Sequence, residues 1–222
     1  MLLIGHRGVP SLEPENTVRS FQKAQECGVD MIEFDVRESA DGQLVVIHDS
    51  HLTRLFAVDK PVRECTLAEL KSISRPAGRE IPTVAEALQS IRVPVDIHVK
   101  VHGIEERLMA ELKNFSPKVL ISCTYPGVLQ KIRTLDEKVN LGLLIGTGEL
   151  HLIPVIHWLV RNLNLYSIHP KLSLTSAWSI KALKTLGKKV FVWTVNDQAA
   201  ADKLKRLKVD GIFTDFADLI KS

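Results

Sequence analysis

Short runs of apolar and β-branched residues alternate with amphipathic stretches of helical periodicity along almost the whole chain. Strands that are separated by helices of about 10–15 residues are typical of βαβ units, in which successive strands pair in parallel. Eight main strands can be placed, with one extra strand, Leu44–His48, that pairs locally with its neighbour. The alternation therefore predicts an α/β fold, a (β/α)8 TIM barrel, with an open doubly wound sheet as the alternative.

The predicted strands are rich in Val, Ile and Leu, and the predicted helices repeat apolar residues at helical spacing. The strand candidates are Leu2–His6, Asp30–Val36, Leu44–His48, Val93–Lys100, Val119–Ser122, Asn140–Ile145, Leu165–His169, Lys189–Thr194 and Asp210–Thr214. The helix candidates are Thr17–Cys27, Val84–Ile91, Ile104–Asn114, Gly127–Leu135, Glu149–Asn162, Ser176–Leu186, Gln198–Leu207 and Phe216–Lys221.

Residues 50–82 break this alternation. The segment has no regular strand–helix period and contains Pro61, Pro76 and Pro82. Loops longer than about 12–15 residues without regular structure are usually lids or binding elements. We therefore predict a small insertion after the second strand, packed over one end of the barrel. Residues 1–222 are predicted to form a single domain, because a barrel of this type needs roughly 200–250 residues and no linker divides the chain.

Composition and charge exclude several classes of protein. The 29 basic and 26 acidic residues are interspersed and leave a net charge of +3 without a dense basic run, so we expect no nucleic-acid partner. The longest apolar stretch, near Leu152–Val160, is far shorter than the ~20 residues of a membrane span. The three cysteines lie far apart without metal-type spacing, which favours reduced thiols and a cytoplasmic protein. The sequence carries no signal for an oligomeric state.

Ionisable residues interrupt strands that should be apolar. Parallel barrel strands are buried on both faces and are usually continuous apolar runs. Side chains alternate between the faces of a strand, so Glu33 and Asp35 share one face of the second strand. The third strand places Asp96, His98 and Lys100 on one face in the same way. Because the carboxyl ends of barrel strands line the active site, these side chains are predicted to meet in one polar cavity.

The pair Glu33 and Asp35 is the strongest sign of a metal site. Two carboxylates at positions i and i+2 suit a hard divalent cation with open coordination positions. Burying so many ionisable groups without a ligand would cost several kcal/mol. The alternative is an internal salt-bridge network without metal, in which Arg7 and Lys100 neutralise the two carboxylates.

Two histidines, His6 and His48, each end a run of apolar residues, and each has a polar neighbour, Arg7 and Asp49 respectively. Histidine titrates near neutral pH, so two of them beside a phosphoryl group can act as general acid and general base. The alternative for either residue is a structural or surface imidazole. The polar neighbours favour the catalytic interpretation.

An ordered series of short motifs runs from the first strand to the last. The motifs are Gly5-His6-Arg7-Gly8, Pro14-Glu15-Asn16-Thr17, Ala24 with Gly28, Ile32-Glu33-Phe34-Asp35-Val36, Asp41-Gly42, Val45-Val46-Ile47-His48-Asp49, Leu52-Thr53-Arg54, Val192-Trp193-Thr194-Val195-Asn196 and Asp210-Gly211-Ile212-Phe213-Thr214-Asp215. In order and spacing this series resembles the glycerophosphodiester phosphodiesterase family, most specifically over the first 55 residues.

The resemblance implies a TIM barrel of the phospholipase-C-like phosphodiesterase type, in which residues 50–82 are an insertion after the second strand. It also implies hydrolysis of a glycerophosphodiester to an alcohol and a glycerol phosphate, dependent on Mg²⁺ or Ca²⁺. Under the resemblance, Glu15 and Asn16 brace the loop after the first strand, and Asn16 or Thr17 caps the first helix. The site residues it implies are Glu33 and Asp35 as metal ligands, His6 and His48 as the acid–base pair, Arg7 as a phosphate contact and Trp193 as an aromatic against the glycerol.

The third strand departs from the family pattern. The family's motif typically reads Glu-x-Lys with the Glu a metal ligand, whereas this chain has His98-Val99-Lys100. His98 can coordinate a metal through a neutral imidazole, and Lys100 can join Arg7 in stabilising charge on the phosphoryl group. A nitrogen ligand and one negative charge fewer favour Mn²⁺, Co²⁺ or Zn²⁺ over Mg²⁺ and Ca²⁺. Asp96 lies one pleat, roughly 6–7 Å, deeper in the barrel and is a poorer ligand candidate.

Two other functions stay open at the level of sequence. One is a related lysophospholipid phosphodiesterase on the same fold. The other is a catalytically weak phosphate-binding module, which the replacement at His98 makes conceivable. The presence of His6, His48 and both carboxylates of the second strand favours an active phosphodiesterase over a decayed one.

Overall fold

A computed structural model describes residues 1–146 and 153–220 of the chain, with side chains throughout except at residues 153–155. Within these ranges the strands are β1 (Leu2–His6), β2 (Met31–Glu38), β3 (Leu44–Val46), β4 (Val95–Val99), β5 (Val119–Cys123), β6 (Asn140–Ile145), β7 (Ser167–Pro170), β8 (Lys189–Val192) and β9 (Gly211–Thr214). The helices are α1 (Val18–Glu26), α2 (Thr53–Phe56), α3 (Leu67–Ser74), α4 (Val84–Ser90), α5 (Glu105–Leu112), α6 (Pro126–Leu135), α7 (Ile153–Asn162), α8 (Ala177–Lys184) and α9 (Gln198–Arg206).

Eight parallel strands close into a barrel. The order around it is β1-β9-β8-β7-β6-β5-β4-β2, and β1 pairs with β2 to complete the ring. At the closure, Ile4 of β1 is level with Met31 of β2. The short strand β3 pairs antiparallel to β2, with Val36 opposite Val46, and remains outside the ring. The predicted TIM barrel is confirmed, and the open doubly wound sheet is wrong because its edge strands would not pair with each other.

The core has two apolar parts that sit on opposite sides of the barrel wall. The larger part packs the outward side chains of the strands against the ring of helices, as with Phe34 of β2 and Phe21 of α1, whose ring centroids are 5.7 Å apart. The smaller part fills the bottom of the barrel interior. We call this smaller part the apolar plug. Above the plug, the interior of the barrel is polar, because charged and apolar residues alternate along β2 and β4. The candidate site residues on these strands therefore lie in the upper interior. The buried residues of the plug are Ile4, Met31, Leu120, Phe191 and Phe213.

Residues 50–82 hold α2, α3 and a 3-10 turn at Val62–Glu64. They bury a small apolar cluster against Val45 and Ile47, to which the segment contributes Leu52 and Leu70 among others. The sequence interpretation missed α3, whose start carries a capping box: the Thr66 side chain accepts from the Glu69 backbone N–H, and the Glu69 carboxylate accepts from Thr66. A local signal of this kind identifies a helix even where the strand–helix period is absent.

The predicted helix at Phe216–Lys221 is wrong over its described part. Residues 217–219 form a turn, and Leu219 is 66% exposed. A segment this short must gain its stability from a buried face, and only part of this one packs on the barrel. Lys221 lies outside the described residues, as do residues 149–152 at the start of the predicted helix that ends at Asn162.

All three cysteines are free, and Cys65 and Cys123 are buried. In the described part of the chain, no helix is both long enough and apolar enough to cross a membrane. The free cysteines agree with the prediction from cysteine spacing.

Candidate active site

A tight turn after β1 places His6 and Arg7 at the carboxyl end of the barrel. A Cβ on Gly5 would lie 2.5 Å from the carbonyl oxygen of Gly8, so only glycine allows the chain to fold back this closely. Gly8 has φ +90°, and a Cβ there would lie 2.2 Å from Ser20 Oγ. Arg7 itself adopts a left-handed backbone conformation with φ 56°. The two glycines of the motif Gly-His-Arg-Gly are thus structural requirements of the turn that presents the candidate side chains of His6 and Arg7.

Glu33, Asp35 and His98 converge above the apolar plug. Strand register explains the convergence, because β2 and β4 pair with Asp35 level with His98. The Nδ1 atom of His98 lies 3.3 Å from Asp35 Oδ1 and 3.9 Å from Glu33 Oε1. One ligand atom from each of the three buried residues lies within 4.8 Å of the others. The predicted metal ligands therefore form one group.

Asp35 is the more strongly compensated of the two carboxylates. Its oxygens lie 3.1 Å from Lys100 Nζ and 3.2 Å from Arg7 Nε, and the Asn16 side-chain amide donates to Oδ2 at 2.9 Å. Although burial alone would raise it, Lys100, His98 and Arg7 hold the pKa of Asp35 well below its ordinary range. Within the described part of the chain, Asp35 Oδ1 faces Lys100 Nζ at 3.1 Å and His98 Nδ1 at 3.3 Å, although neither contact has hydrogen-bond geometry.

Glu33 lacks this compensation. Its carboxylate accepts a hydrogen bond from the Arg7 backbone N–H at 3.0 Å, but it forms no ion pair with Arg7 or Lys100 among the described residues. Burial, followed by repulsion from Asp35, raises the pKa of Glu33 to about 8. The metal-free salt-bridge network thus accounts for Asp35 and leaves Glu33 as a buried carboxyl without a cation.

His98 supplies a neutral nitrogen to the same group. Burial lowers its pKa to about 4, so the imidazole is uncharged near neutral pH and keeps a lone pair. Two carboxylates and one imidazole are a donor set that divalent cations take readily. Together with the uncompensated carboxyl group of Glu33, this donor set fits a divalent cation held by Glu33, Asp35 and His98.

His6 is oriented by Asp215, which follows β9. The two are joined by a hydrogen bond of 2.7 Å between His6 Nδ1 and Asp215 Oδ1. Asn196 fixes the carboxylate in turn, since its side-chain amide donates to Asp215 Oδ2 at 2.7 Å and its Oδ1 accepts from the Asp215 backbone at 3.0 Å. Sequence reasoning gave these two residues no role, although both belong to the C-terminal motifs of the family resemblance.

His48 is oriented by its own neighbour. Its Nδ1 lies 2.6 Å from Asp49 Oδ1, and the other oxygen of Asp49 pairs with Arg54 of α2. Burial lowers the pKa of His48, so its neutral form extends below the usual range of pH. Arg54 also binds Glu15, which in turn accepts from Arg7 at 3.0 Å. Glu15 does brace the loop after β1, and it does so by joining that loop to α2.

One cavity of about 40 Å³ collects most of the predicted site residues. Trp193 forms one wall, and its indole N–H donates to the backbone oxygen of His169 at 2.7 Å. His48 is not among the lining residues; its side chain is 34% exposed. The predicted residues that line the cavity are His6, Arg7, Glu33, Asp35, His98, Lys100 and Trp193.

The floor of the cavity is a second polar layer that the sequence only partly indicated. Asp96 and His169 are fully buried, with Asp96 Oδ2 3.6 Å from His169 Nδ1. His169 fits because Gly142 faces it, where a Cβ would lie 2.8 Å from the ring. Burial raises the pKa of Asp96 to about 8 and lowers that of His169 to about 3. Asp96 lies outside the group of three candidate ligands in the described part of the chain, in agreement with its deeper position.

Comparison with known proteins places this site in a family. The model of the glycerophosphoryl diester phosphodiesterase family matches residues 6–219. The chain belongs to this family. The resemblance that the motifs predicted is confirmed, and so is the enzyme class, a hydrolase of phosphodiesters.

Relatives of the family cover nearly the whole chain. A glycerophosphodiester phosphodiesterase of Caldanaerobacter subterraneus is 34% identical, over 96% of this chain and 93% of that protein. A glycerophosphodiester phosphodiesterase structure from Thermotoga maritima has a TM-score of 0.89 at 29% identity and covers 99% of this chain and 96% of its own. A phosphodiesterase structure from Oleispira antarctica, in complex with the product sn-glycerol-3-phosphate, has a TM-score of 0.87 at 26% identity and covers 99% of this chain and 95% of its own.

Proposed function

We propose that the protein is a metal-dependent hydrolase that cleaves small glycerophosphodiesters to an alcohol and glycerol phosphate. The observation that carries the proposal is the group Glu33, Asp35 and His98, which lies in one cavity with the cationic residues Arg7 and Lys100. A phosphodiester anion needs both a Lewis acid and fixed positive charge where its transition state develops negative charge. The glycerol phosphate product bound by the Oleispira relative supports the same substrate class.

The three ligand candidates would hold the cation at the carboxyl ends of β2 and β4. When bound there, a divalent cation supplies Lewis-acid polarisation of the phosphoryl oxygens. The imidazole of His98 replaces a carboxylate, which leaves the site with less negative charge and a nitrogen donor. We infer a preference for Mn²⁺, Co²⁺ or Zn²⁺ over Mg²⁺ and Ca²⁺.

His6 and His48 carry the proton transfers. One imidazole takes the proton of the attacking hydroxyl, which belongs to water or to the glycerol of the substrate, and a new P–O bond forms. The other gives a proton to the departing alcohol oxygen as its P–O bond breaks. Attack by water yields glycerol phosphate directly, whereas attack by the glycerol hydroxyl yields a cyclic phosphate, whose ring P–O bond is broken by water in a second step. Hydrogen bonds from Nδ1 to Asp215 and Asp49 fix the tautomer of each ring and leave Nε2 as the reacting atom.

Arg7 and Lys100 stabilise the negative charge on the phosphoryl group. The Arg7 guanidinium is held from two sides by Asp35 and Glu15, which restricts it to the cavity wall. A guanidinium can present two parallel N–H donors to an oxyanion, whereas Lys100 contributes a point charge. The indole of Trp193 provides an apolar wall for the glycerol moiety. The narrow cavity suits a small polar group of this kind.

A metal screen with two substrates tests the proposal. Chelator-treated protein is assayed with Mg²⁺, Ca²⁺, Mn²⁺, Co²⁺ and Zn²⁺ on glycerophosphocholine and on a generic phosphodiester. The proposal expects metal-restored hydrolysis that is faster on glycerophosphocholine. Folded protein that is inactive with every ion would indicate the phosphate-binding module instead. Faster cleavage of a lysophospholipid than of glycerophosphocholine would indicate the related lysophospholipid enzyme.

The histidines are tested separately. His6→Ala and His48→Ala should each lower kcat by about 10²–10⁴-fold, the usual contribution of a general acid or base. His157→Ala, which alters an exposed histidine of α7, is the matched control. Near-normal turnover in both active-site variants would contradict the assignment.

A further inference from the structure

One flank of the barrel carries no acidic residue of its own. Residues 150–196 contain no Asp or Glu, although the chain has 26 acidic residues elsewhere. All three tryptophans of the protein lie in the same segment. This segment provides the described helices α7 and α8. Its basic residues are Arg161, Lys171, Lys181, Lys184, Lys188 and Lys189.

Two of the three tryptophans face solvent. Trp158 of α7 is 60% exposed and Trp178 of α8 is 69% exposed. Large apolar side chains gain free energy when they leave water, so two indoles held on the outside of rigid helices are unusual. Trp193 lines the active-site cavity and is accounted for by catalysis. Neither the fold nor the catalytic site uses the other two.

A basic residue follows each exposed tryptophan by one helical turn. Arg161 follows Trp158, and Lys181 follows Trp178. Residues three positions apart are neighbours on a helix surface, and all four of these side chains are exposed. Because α7 and α8 are consecutive helices of the outer ring, the pattern occurs twice on one side of the barrel. We call these four residues the α7–α8 flank.

Among the described residues, no acidic side chain neutralises the positive charge of this flank. Asp210 forms ion pairs with Lys184 and Lys189, at 3.4 Å and 3.1 Å. These two lysines belong to the segment but not to the flank, so the flank keeps its own charge. Arg161 and Lys181 form no ion pair with any of the described residues. Their charges are therefore free to meet an external anion.

The flank also reaches the face of the barrel on which the cavity opens. Helix α8 follows the carboxyl end of β7, and Trp178 lies in its first turn. The carboxyl ends of the strands carry the cavity. A surface that contacts Trp178 is therefore close to the entrance of the active site.

We propose that the α7–α8 flank docks the protein onto an anionic phospholipid surface. Indoles favour the interface of a bilayer, where the ring is in an apolar layer and its N–H is near polar headgroups. Arg161 and Lys181 then lie at the level of the lipid phosphates, where each basic residue adds attraction to an anionic leaflet. An acidic protein or a nucleic acid would match the charge without requiring two outward indoles on neighbouring helices. Docking of this kind is peripheral and independent of the catalytic proposal.

Vesicle sedimentation with the full chain tests this directly. The protein should sediment with vesicles of phosphatidylcholine that contain phosphatidylglycerol, should bind pure phosphatidylcholine far more weakly, and should dissociate at high salt. Arg161→Glu with Lys181→Glu should weaken binding by at least about 25-fold, since each basic residue near the surface contributes about fivefold. Trp158→Ala with Trp178→Ala should weaken it by about tenfold or more through lost apolar contact.

A matched charge change elsewhere is the control. Arg63→Glu with Lys113→Glu alters exposed residues away from the flank and should leave vesicle binding within about twofold of wild type if the flank is the docking site. Every variant should keep its hydrolysis of soluble glycerophosphocholine, which shows that it is folded. Failure to bind anionic vesicles would overturn the proposal, as would equal losses in control and flank variants. Binding to a polyanion such as heparin that is unchanged in the tryptophan variants would also overturn the proposal.

Discussion

The guanidinium of Arg54 in α2 binds the carboxylate of Glu15 through two hydrogen bonds, Nη2–Oε1 at 2.7 Å and Nη1–Oε2 at 3.0 Å. Glu15 also accepts from Arg7 in the cavity wall, at 3.0 Å. The Nε of Arg54 pairs with Asp49, which orients His48. A single side chain of the segment 50–82 therefore connects Arg7, the proposed phosphate contact, with His48.

This connection predicts that Arg54→Met lowers kcat/KM for glycerophosphocholine by about tenfold, because Glu15 and Asp49, which position Arg7 and His48, both lose their contact with Arg54. Steady-state kinetics measure the effect, and Arg63→Met, an exposed arginine in the same segment, is the control. In combination with Glu15→Gln the loss should be smaller than the two single losses combined, since both act through Arg7. Wild-type kinetics in Arg54→Met would refute the connection.

The two aspartates that orient the histidines should be required for turnover. We expect Asp215→Asn and Asp49→Asn each to lower kcat by about 10²-fold, because an amide no longer fixes the ring or stabilises its protonated form. Asp202→Asn on exposed α9 is the control. In the wild type, the hydrogen bond from Asp49 raises the pKa of His48 and so opposes the lowering by burial. In Asp49→Asn the pKa of His48 should therefore fall further. The limb of the pH–rate profile that belongs to His48 should then move to lower pH, and an unmoved profile would be inconsistent with its role.

The imidazole of His98 should set the metal preference. His98→Glu restores a third carboxylate, so the affinity for Mg²⁺ and Ca²⁺ should rise by about tenfold or more relative to that for Zn²⁺. Titration calorimetry on chelator-treated protein measures this without reference to activity. His102→Glu makes the same change at an exposed position nearby and should leave both affinities unchanged. Unaltered affinity and unaltered preference in His98→Glu would show that residue 98 is not a ligand.

The buried imidazole of His169 should make the fold sensitive to acid. Its pKa in the folded protein is about 3 against an ordinary 6.5, so unfolding takes up a proton below pH 6.5 and the protein loses stability as the pH falls from there towards 3. In His169→Asn the drop in unfolding free energy between pH 7 and pH 4 should shrink by about 3 kcal/mol. Denaturant unfolding at the two pH values measures this, with exposed His157→Asn as the control. An equal drop in wild type and variant would contradict the assignment.

The sequence predicted the centre of the site because strand geometry is local. Alternation along β2 puts Glu33 and Asp35 on one face, and the same rule applied to β4 puts His98 there, so only the register between the strands was missing. The partnership of His6 with Asp215 is different. The two lie 209 positions apart and meet only because β9 closes the ring against β1. No local pattern carries that information.

Other differences arise where local signals compete. Both Asn16 and Thr17 could cap α1; the structure uses Thr17, whose side chain accepts from the Ser20 backbone, and frees Asn16 to bind Asp35. At the C-terminal end, apolar spacing over Phe216–Lys221 favoured a helix, but the chain turns there instead. Short segments are decided by what they pack against, which the sequence alone does not show.

Product formation shows whether hydrolysis depends on a metal ion held at this site. Metal-depleted protein is incubated with glycerophosphocholine, with and without Mn²⁺, and phosphorus NMR monitors the formation of glycerol phosphate. We predict that Mn²⁺ restores product formation in wild type and that Glu33→Gln lowers the restored rate by about 10³-fold, because the cation loses a charged ligand. Full activity of the metal-depleted protein, or of Glu33→Gln, would contradict a metal-dependent phosphodiesterase centred on Glu33, Asp35 and His98.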